Sequence, residues 1–304
     1  MIKVNHATLT YRSGKGVFDL DFKIGQGQVM GYLGPNGAGK TTTIRQLTGF
    51  MKSDSGSCSI NGLDCFHKAP AINQMMGYIP GEIAFLEGMQ GEEYLKYIRQ
   101  VRGLRNDHLQ KKLIDMFEFS PKGSIRKFSK GMKQKLGIVA AFMHDPDVLL
   151  LDEPTSGLDP LMQNRFIDLI LEEKKRGKTI LLSSHMFEEV ERTCDRVIII
   201  KDGRIVAKSD IKSLKSAQRK VYRLKVKNPL VAMQSLQAHG FEVKHLEQVI
   251  DVTIPGDQIG AFVAVLPQLE VTDLDVKSLS LEEIFLHFYQ KEDDDEKAIE
   301  SDPV

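Results

Sequence analysis

The sequence lacks an excess of charge of either sign, and it lacks long hydrophobic runs. Its 304 residues carry 41 lysines and arginines against 41 aspartates and glutamates, whereas nucleic-acid-binding proteins usually show a basic excess or a basic stripe. The longest apolar runs, such as VLLL at 148–151 and VIII at 197–200, have the length of strands and are too short to span a bilayer. We therefore expect no nucleic-acid partner, and we do not expect the chain to be a membrane channel.

Cysteine is scarce as well. The three cysteines, Cys58, Cys65 and Cys194, form no CxxC pair, which suggests a reducing compartment and buried thiols rather than a disulfide framework. The first residues, MIKVNHATLTYRS, contain no apolar core of the length found in signal peptides. Together these features predict a cytoplasmic location.

Strand-sized apolar runs alternate with helical stretches. DVLLLDEP, KTILLSSH and DRVIIIKDG lie between residues 147 and 203, separated by the helical stretches LMQNRFIDLILEEKKRG and MFEEVERTCD. Fully apolar strands in such alternation are typical of a parallel sheet that is covered by helices on both faces. We therefore predict an α/β core, and the length of the chain leaves room for a second, smaller domain.

The rest of the chain predicts two further parts. Between residues 90 and 118 apolar residues recur at helical spacing and predict a helical insert. After residue 220 strands and helices follow the order β-α-β-β-α-β of a ferredoxin-like module, and a last helix (281–291) and an acidic tail that we expect to be disordered come after it. The predicted boundaries are 1–215 for the first domain, about 88–135 for the insert, 216–290 for the second domain and 291–304 for the tail.

Residues 34–41, GPNGAGKT, match the phosphate-binding pattern G-x-x-x-x-G-K-[ST] in full. An apolar strand precedes the pattern and a helix follows it, so that backbone N–H groups form an anion site at a positive helix end. Lys40 is predicted to reach the β- and γ-phosphates of ATP, and Thr41 to hold Mg²⁺. The predicted cofactor-binding residues of this segment are Gly34, Pro35, Asn36, Gly37, Ala38, Gly39, Lys40, Thr41 and Thr42.

Three further candidates stand at the ends of predicted strands. Asp152 ends VLLLD, where α/β sheets bind their ligands, and its carboxylate can hold Mg²⁺ through water. Glu153 follows it and is predicted to polarise the attacking water as a general base. His185 ends TILLSSH and can reach the γ-phosphate. We predict Glu153, His185 and Lys40 as catalytic residues, and Thr41 and Asp152 as metal ligands.

Four motifs in a fixed order, GPNGAGKTT, FSKGMKQKLG, LLLDEPTSGLD and SSH, resemble those of the nucleotide-binding subunit of ABC transporters over about residues 1–215. The resemblance implies a P-loop NTPase core, mostly a parallel sheet with an antiparallel β subdomain and a helical subdomain, followed by a small α+β domain. It implies that Ser129 and Gly131 of the signature segment bind ATP held by a second subunit, and that Asp159 crosses this interface. Tyr11 occupies the position of the aromatic ring that stacks on adenine; the alternative is a strand tyrosine that only packs.

Two segments depart from the family pattern. Lys130 replaces a glycine of the signature, which leaves the pattern S-x-G. In GYIPGEIAF (77–85), Gly81 stands where the family commonly has a glutamine that contacts Mg²⁺ and the attacking water. The interpretation adopted is that Glu82 takes over this contact; the alternative is a weakened coupling to the membrane partner.

The resemblance also implies partners. The expected ones are integral membrane permease subunits on separate chains, with this chain working beneath them as a homodimer or as a pair of ATPase subunits. That places it as a peripheral protein on the inner face of the cell membrane. The C-terminal module resembles the accessory domain of export-type members, which favours export driven by ATP hydrolysis.

Two other functions remain open on the sequence. One is an ABC ATPase that acts on ribosomes or DNA, although the single P-loop and the lack of sustained heptads are not typical of such proteins. The other is a regulator that dimerises on ATP but barely hydrolyses it, which the absence of glutamine at position 81 would suit. RNA binding by the C-terminal module is not expected, because its predicted inner strands, KVYRLKVK and VIDVTIP, offer a single tyrosine.

Overall fold

A computed structural model of the protein describes residues 1–86, 88–217, 220–246, 249–254 and 258–278. The chain forms two compact units, Met1–Asp210 and Ile211–Val304. The helix predicted at 281–291 and the tail predicted at 291–304 lie outside the described residues. Within the described ranges, no helix has both the length and the apolar character needed to cross a membrane.

The first unit contains ten strands and seven helices among its described residues. The strands are β1 (Ile2–Thr10), β2 (Gly16–Ile24), β3 (Val29–Leu33), β4 (Ser55–Ile60), β5 (Leu63–Asp64), β6 (Met76–Ile79), β7 (Val148–Asp152), β8 (Thr179–Ser184), β9 (Arg196–Lys201) and β10 (Arg204–Asp210). The helices are α1 (Lys40–Leu47), α2 (Ala69–Met75), α3 (Gly91–Val101), α4 (His108–Met116), α5 (Lys130–Phe142), α6 (Pro160–Lys175) and α7 (Phe187–Thr193).

Strands β2, β1, β4 and β5 form an antiparallel sheet in that order. Along β2 the buried residues Leu20, Phe22 and Ile24 alternate with exposed ones, because successive side chains of a strand point to opposite faces. This buried face joins a core cluster that also contains Ile44 of α1 and Leu181 of β8. The antiparallel sheet therefore packs on the same core as the strands that carry the glycine-rich loop.

The central sheet has the order β10-β9-β3-β8-β7-β6, and all its neighbours are parallel except β9 and β10. Strands β3, β7 and β8 are buried along their whole length, as parallel strands covered on both faces should be. Leu33 lies opposite Ser184, and Asp152 lies opposite Ser183. The carboxyl ends of β3, β8 and β7 are thus neighbours at one edge of the sheet.

Side-chain caps define the starts of two helices between β6 and β7. The N–H of Gln90 donates to Glu93 Oε2 at 3.0 Å just before α3, and Ser129 Oγ accepts from the N–H of Met132 at 3.1 Å at the start of α5. Such caps pair backbone groups that have no partner within the helix. The signature segment predicted from the sequence therefore begins a helix at Lys130.

The second unit has the strand and helix order β-α-β-β-α-β after its first helix. Its elements are α8 (Ile211–Ala217), β11 (Lys220–Val226), α9 (Pro229–Ala238), β12 (Glu242–Leu246), β13 (Val249–Ile254), α10 (Ile259–Val265) and β14 (Val271–Ser278), with a 3₁₀ turn at Leu266–Gln268. The sheet order is β12-β13-β11-β14, and every pairing is antiparallel.

The aromatic residue on the inner strand β11 belongs to the core of this unit. Tyr222 is buried, and its ring lies 4.8 Å from the ring of Phe262 on α10, measured between centroids. Phe262 also contacts the ring of Phe241 at 5.8 Å. Tyr222 therefore packs against a helix and does not offer an exposed ring for stacking.

Candidate functional site

The glycine-rich segment connects the end of β3 to the start of α1. Gly37 and Gly39 have φ angles of 84° and 108°, in a region that glycine adopts readily and other residues do not. Gly34 has no space for a side chain, because a Cβ there would lie 2.4 Å from the carbonyl oxygen of Ile200. Lys40 is the first residue of α1. The loop therefore holds its backbone against the positive end of a helix, where anions bind.

Lys40 is almost fully buried, and three oxygen atoms surround its ammonium group. Nζ donates to the carbonyl oxygens of Gly34 at 2.6 Å and of Pro35 at 3.2 Å, and it lies 3.3 Å from Glu153 Oε1. Because a lysine ammonium has three protons to donate, these contacts use its full capacity. An anion that binds Lys40 must therefore displace one of them.

The carboxylate of Asp152 lies at the end of β7, completely buried. Thr41 Oγ1 donates to its Oδ2 at 2.7 Å, and Ser183 Oγ donates to its Oδ1 at 2.5 Å. The parallel register of β7 and β8 places Ser183 directly opposite Asp152. Two hydroxyl groups, one from the loop helix and one from the neighbouring strand, thus orient this carboxylate.

Asp152 and Thr41 fit a magnesium ion. No described lysine, arginine or histidine forms an ion pair with Asp152, and a buried carboxylate without a positive partner is costly. The two side chains offer only oxygen atoms, which are the ligands that Mg²⁺ takes in proteins. A divalent cation here would compensate the buried charge, so the residues present suit the metal that the sequence predicts.

Glu153 stands between a lysine and a histidine. Its Oε1 lies 3.3 Å from Lys40 Nζ, and its Oε2 lies 3.2 Å from His185 Nδ1. Its φ angle of 47° is unusual for a residue other than glycine, and its N–H is held by the carbonyl oxygen and the hydroxyl of Ser183, both at 3.1 Å. Local strain of this kind is found at functional sites, and it directs the carboxylate toward the glycine-rich loop.

A cavity of about 280 Å³ opens over the loop. Tyr11 lies on its wall, where its hydroxyl is 3.2 Å from Thr42 Oγ1 and 3.3 Å from Met51 Sδ. Tyr11 also packs against the core cluster beneath the cavity, so a packing role and a ligand-facing position occur together. The lining residues are Tyr11, Ser13, Lys15, Gly16, Pro35, Asn36, Gly37, Gly39, Lys40, Thr41, Thr42 and Glu153.

The signature residues lie elsewhere in the same chain. Ser129 and Gly131 are not among the described residues that line the cavity over the loop. Gly131 is close to Gly157, since a Cβ at 131 would lie 2.8 Å from the carbonyl oxygen of Gly157. Lys130, which departs from the family pattern, donates from Nζ to Ser156 Oγ at 2.9 Å. The signature therefore packs against the turn that follows Glu153.

Asp159 is also outside this cavity. Its Oδ1 accepts from the N–H of Met162 at 3.0 Å, which makes it the N-cap of α6. Such a cap leaves the second carboxylate oxygen available to another partner. Within this chain Asp159 orients α6 and does not meet Lys40 or Glu153.

The loop after β6 brings Gly81, rather than Glu82, next to Asp152. A Cβ at position 81 would lie 3.2 Å from Asp152 Oδ2, so a side chain there would reach the proposed metal position. Glu82 is exposed, and no hydrogen bond or ion pair links it to any described residue. Glu82 thus lies one residue away from the position that faces the site.

Sequence reasoning missed three residues that organise this region. Ser183 holds both Asp152 and the backbone of Glu153; Gln134 donates to the carbonyl oxygen of Pro154 at 2.6 Å; and Glu189 is a buried carboxyl under the turn that carries His185. The role of Ser183 could have been predicted from its position in the sequence, because it is the penultimate residue of a strand that neighbours β7. Nothing in the local pattern singles out Gln134 or Glu189.

Comparison with known proteins gives a consistent result. The family described as "ABC transporter" matches residues 17–156. The bacitracin transport ATP-binding protein BcrA of Bacillus licheniformis is 36% identical over 259 residues, covering 83% of this chain and 84% of that protein. The linearmycin resistance ATP-binding protein LnrL of Bacillus subtilis (strain 168) is 31% identical over 304 residues, covering 94% of this chain and 97% of that protein.

A solved structure shares the architecture. An ATP-binding subunit of an ABC transporter superposes with a TM-score of 0.65 at 32% sequence identity, over 71% of this chain and 92% of that chain. The α/β fold predicted from the alternating strands and helices is thereby confirmed.

Proposed function

The chain belongs to the ABC transporter family as an ATP-binding and ATP-hydrolysing subunit, and from this premise we propose that it works in a head-to-tail pair that drives a separate membrane permease. The observation that carries the hydrolytic part of the proposal is the meeting of Lys40, Glu153 and His185 beside the glycine-rich loop. These three side chains can bind a phosphate and a water molecule, and they can stabilise the charge that develops during hydrolysis.

ATP would bind with its triphosphate along Gly34–Thr42. The glycines present backbone N–H groups, and Lys40 exchanges the carboxylate of Glu153 for the β- and γ-phosphates. Glu153, released from Lys40, is then free to accept a proton from the attacking water. His185, 3.2 Å from Glu153, lies where it can bind the γ-phosphate. Tyr11, on the cavity wall, would contact the adenine ring.

Thr41 and Asp152 would hold Mg²⁺. An ion held by these two side chains would supply positive charge that neutralises part of the triphosphate charge. Ser183 keeps the Asp152 carboxylate pointing toward Thr41. Glu82 remains the candidate for the contact that the family makes with glutamine, although Gly81 is the nearer position.

The second half of each ATP site would come from another copy of the chain. Ser129 caps α5, a helix of 13 residues, and Gly131 lies in its first turn, whose N–H groups suit a γ-phosphate. Within one chain these residues do not line the cavity over Lys40. Two copies related head to tail would bring each signature, and Asp159 with it, to the ATP of the other copy.

A groove of about 720 Å³ is the proposed docking site for a helical segment of the permease. It lies between the loop after Gly81 and the 3₁₀ turn Ile125–Lys127 before the signature, and Leu86 on its wall is exposed. Because Ile83 packs on Gly137 of α5, a movement of the groove would displace the helix that begins at the signature. The groove is lined by Ile83, Phe85, Leu86, Gly88, Met89, Ser124, Ile125, Arg126 and Lys133.

Export is the proposed direction of transport. LnrL is named for linearmycin resistance and BcrA for bacitracin transport, and removal of a toxic compound from the cell is a common basis of resistance. The alignment with LnrL extends over 94% of this chain, so it includes most of the second unit. We assign the predicted domain 216–290 within that unit to an accessory role such as support of the pair, and place the chain on the inner face of the membrane.

Substitution of Glu153 tests the proposal. Glu153→Gln should lower the rate of ATP hydrolysis by about 10²- to 10⁴-fold, the usual effect of a general base, while ATP binding persists and a stable ATP-bound dimer forms. Lys40→Ala should lose ATP binding. Glu118→Gln, at an exposed glutamate whose Arg165 partner is 4.0 Å away, is the matched control and should behave as the parent. Normal hydrolysis by a monomeric Glu153→Gln chain would refute the assignment.

A further inference from the structure

We propose that Glu189 is a positioning residue of the ATPase, whose carboxyl links the residues on either side of His185 to the turn that follows Glu153. The proposal rests on the roles proposed above for Glu153 and His185, and it adds a residue that has no contact with the ATP site itself. Glu189 lies on α7, and only 2% of its surface is exposed.

The first link runs to the turn that carries His185. Ser184 Oγ donates to Glu189 Oε2 at 2.6 Å, and the same hydroxyl accepts from the N–H of Met186 at 2.9 Å. Because a serine hydroxyl has a single proton, the short contact with Glu189 uses it. The carboxyl of Glu189 thereby holds Ser184, the residue before His185, and Ser184 in turn holds Met186, the residue after His185.

The second link runs to the strand end that carries Glu153. Thr155, two residues after Glu153, is buried, lines the same small cavity as Glu189 and lowers the pKa of the Glu189 carboxyl through its side chain. One carboxyl group thus joins the segment after β7 to the segment after β8. The distance of 3.2 Å between His185 Nδ1 and Glu153 Oε2 depends on how these two segments are held.

The surroundings of Glu189 favour its neutral form. Burial raises the pKa of Glu189 to about 7 and the charge of Glu153 adds to the rise, although hydrogen bonds from Ser184 and Thr155 lower it. No described lysine, arginine or histidine nitrogen forms an ion pair with it. The titratable and charged groups around it include Glu153 after β7, His185 after β8, Glu188, Glu191 and Arg192 on α7, Lys174 on α6, and Cys194 and Asp195 after α7.

Deprotonation of Glu189 is expected to loosen the turn that carries His185 and the turn that follows Glu153. Above about pH 7 the carboxylate is ionised next to Glu153 with no positive partner, and Oε1 has no hydrogen-bond donor among the described residues. A buried charge of this kind is relieved when water enters. Opening of the Ser184–Met186 turn would admit water and would move His185 away from Glu153, so kcat should decline as the pH rises through this range.

Glu189→Gln in the full-length chain, assayed with ATP and Mg²⁺ between pH 6 and 8.5, is the test. Glutamine keeps the acceptor for Ser184 but cannot ionise. The ratio of kcat of Glu189→Gln to that of the parent should therefore increase by about tenfold as the pH passes 7, because only the parent acquires a buried charge without a positive partner. KM for ATP should not change, because Glu189 does not reach the loop.

Glu188→Gln is the matched control, since it makes the same change on the same helix at an exposed side chain that is 3.5 Å from Arg192. Its pH profile should follow that of the parent. Ser184→Ala, which breaks the link without altering a charge, should lower kcat by about tenfold at pH 6.5 with KM unchanged.

A constant ratio of kcat across the pH range, or full kcat in Ser184→Ala, would overturn the role of Glu189. These outcomes differ from failure of the proposed function, which would appear as normal hydrolysis by Glu153→Gln. An increase in KM for ATP at unchanged kcat would equally overturn the proposal, since it would place the effect on nucleotide binding.

Discussion

Ser183 is the side chain on which the two acidic residues of the site depend. It donates to Asp152 Oδ1 at 2.5 Å and accepts from the N–H of Glu153 at 3.1 Å, so a single hydroxyl orients both the proposed metal ligand and the proposed base. Groups that orient a metal ligand typically change metal affinity by about 10- to 100-fold when they are removed. Such a residue acts without touching the substrate.

Ser183→Ala should therefore weaken the response to Mg²⁺. We expect the Mg²⁺ concentration for half-maximal ATP hydrolysis to increase by about 10- to 100-fold, because Asp152 Oδ1 loses its hydroxyl donor and the carboxylate can rotate away from Thr41. Titration of ATPase activity with Mg²⁺ measures this. Ser209→Ala, the same change on strand β10, is the control. An unaltered Mg²⁺ titration of Ser183→Ala would show that Ser183 is not needed to orient Asp152.

At the scale of elements, the sequence predicts the strands that bear the site, but it does not predict the neighbouring strand β6. VMGYL, VLLLD and TILLSS are fully buried, and fully apolar runs predict central strands of a parallel sheet. Strand β6, by contrast, has four residues, MGYI, which is too short for any periodicity to appear. It forms because its register with β7 pairs its backbone groups.

The residues of the site also divide into those that the sequence predicts and those that it does not. The positions of Lys40, Asp152, Glu153 and His185 follow from one rule, that the carboxyl ends of neighbouring parallel strands meet at one edge. The contacts of Gln134 and Glu189 depend instead on how helices α5 and α7 pack on those strands. Helix packing is decided by tertiary contacts, and a single helical period does not specify which polar residue will face inward.

Helix α5 and the loop after Gly81 are in close contact where Gly137 meets Ile83. Ile83 occupies the space over Gly137, where a Cβ would lie 2.3 Å from Ile83 Cδ1 and 3.6 Å from Ile83 Cγ1. Gly137 is buried in the middle of the helix, a position at which glycine costs about 0.5–1 kcal/mol relative to alanine. The close contact with Ile83 explains why glycine suits it.

Gly137→Ala should destabilise the protein by about 1–3 kcal/mol through overpacking, partly offset by the better helix propensity of alanine. Ile83→Val removes only Cδ1, the atom that would clash. We expect Ile83→Val to lower the free energy of unfolding in the parent and to raise it in the Gly137→Ala variant. Urea unfolding of the four proteins measures this sign change. If Ile83→Val is destabilising in both backgrounds, the two residues do not form the proposed contact.

At the scale of the whole molecule, the proposed pair rests on the separation of the glycine-rich loop from the signature segment within one chain. The cavity over the loop is lined by residues between Tyr11 and Thr42 and by Glu153, whereas Lys130 and Gly131 of the signature segment contact the turn at Ser156–Gly157. In the proposed pair, a second copy placed head to tail would close the cavity with its signature. A homodimer with two-fold symmetry forms two such sites at once, since each surface meets its complement.

Mixing two inactive variants tests this arrangement. Lys40→Ala removes phosphate binding but leaves the signature intact, while Ser129→Arg blocks the signature but leaves the loop intact. Each variant alone should be inactive, whereas a mixed dimer joins one intact loop to one intact signature, so an equimolar mixture should regain up to about a quarter of the parent ATPase activity. Steady-state hydrolysis by the separate and mixed proteins measures this recovery. Absence of recovery, with mixed dimers shown to form in ATP, would mean that the signature does not complete the site of the other chain.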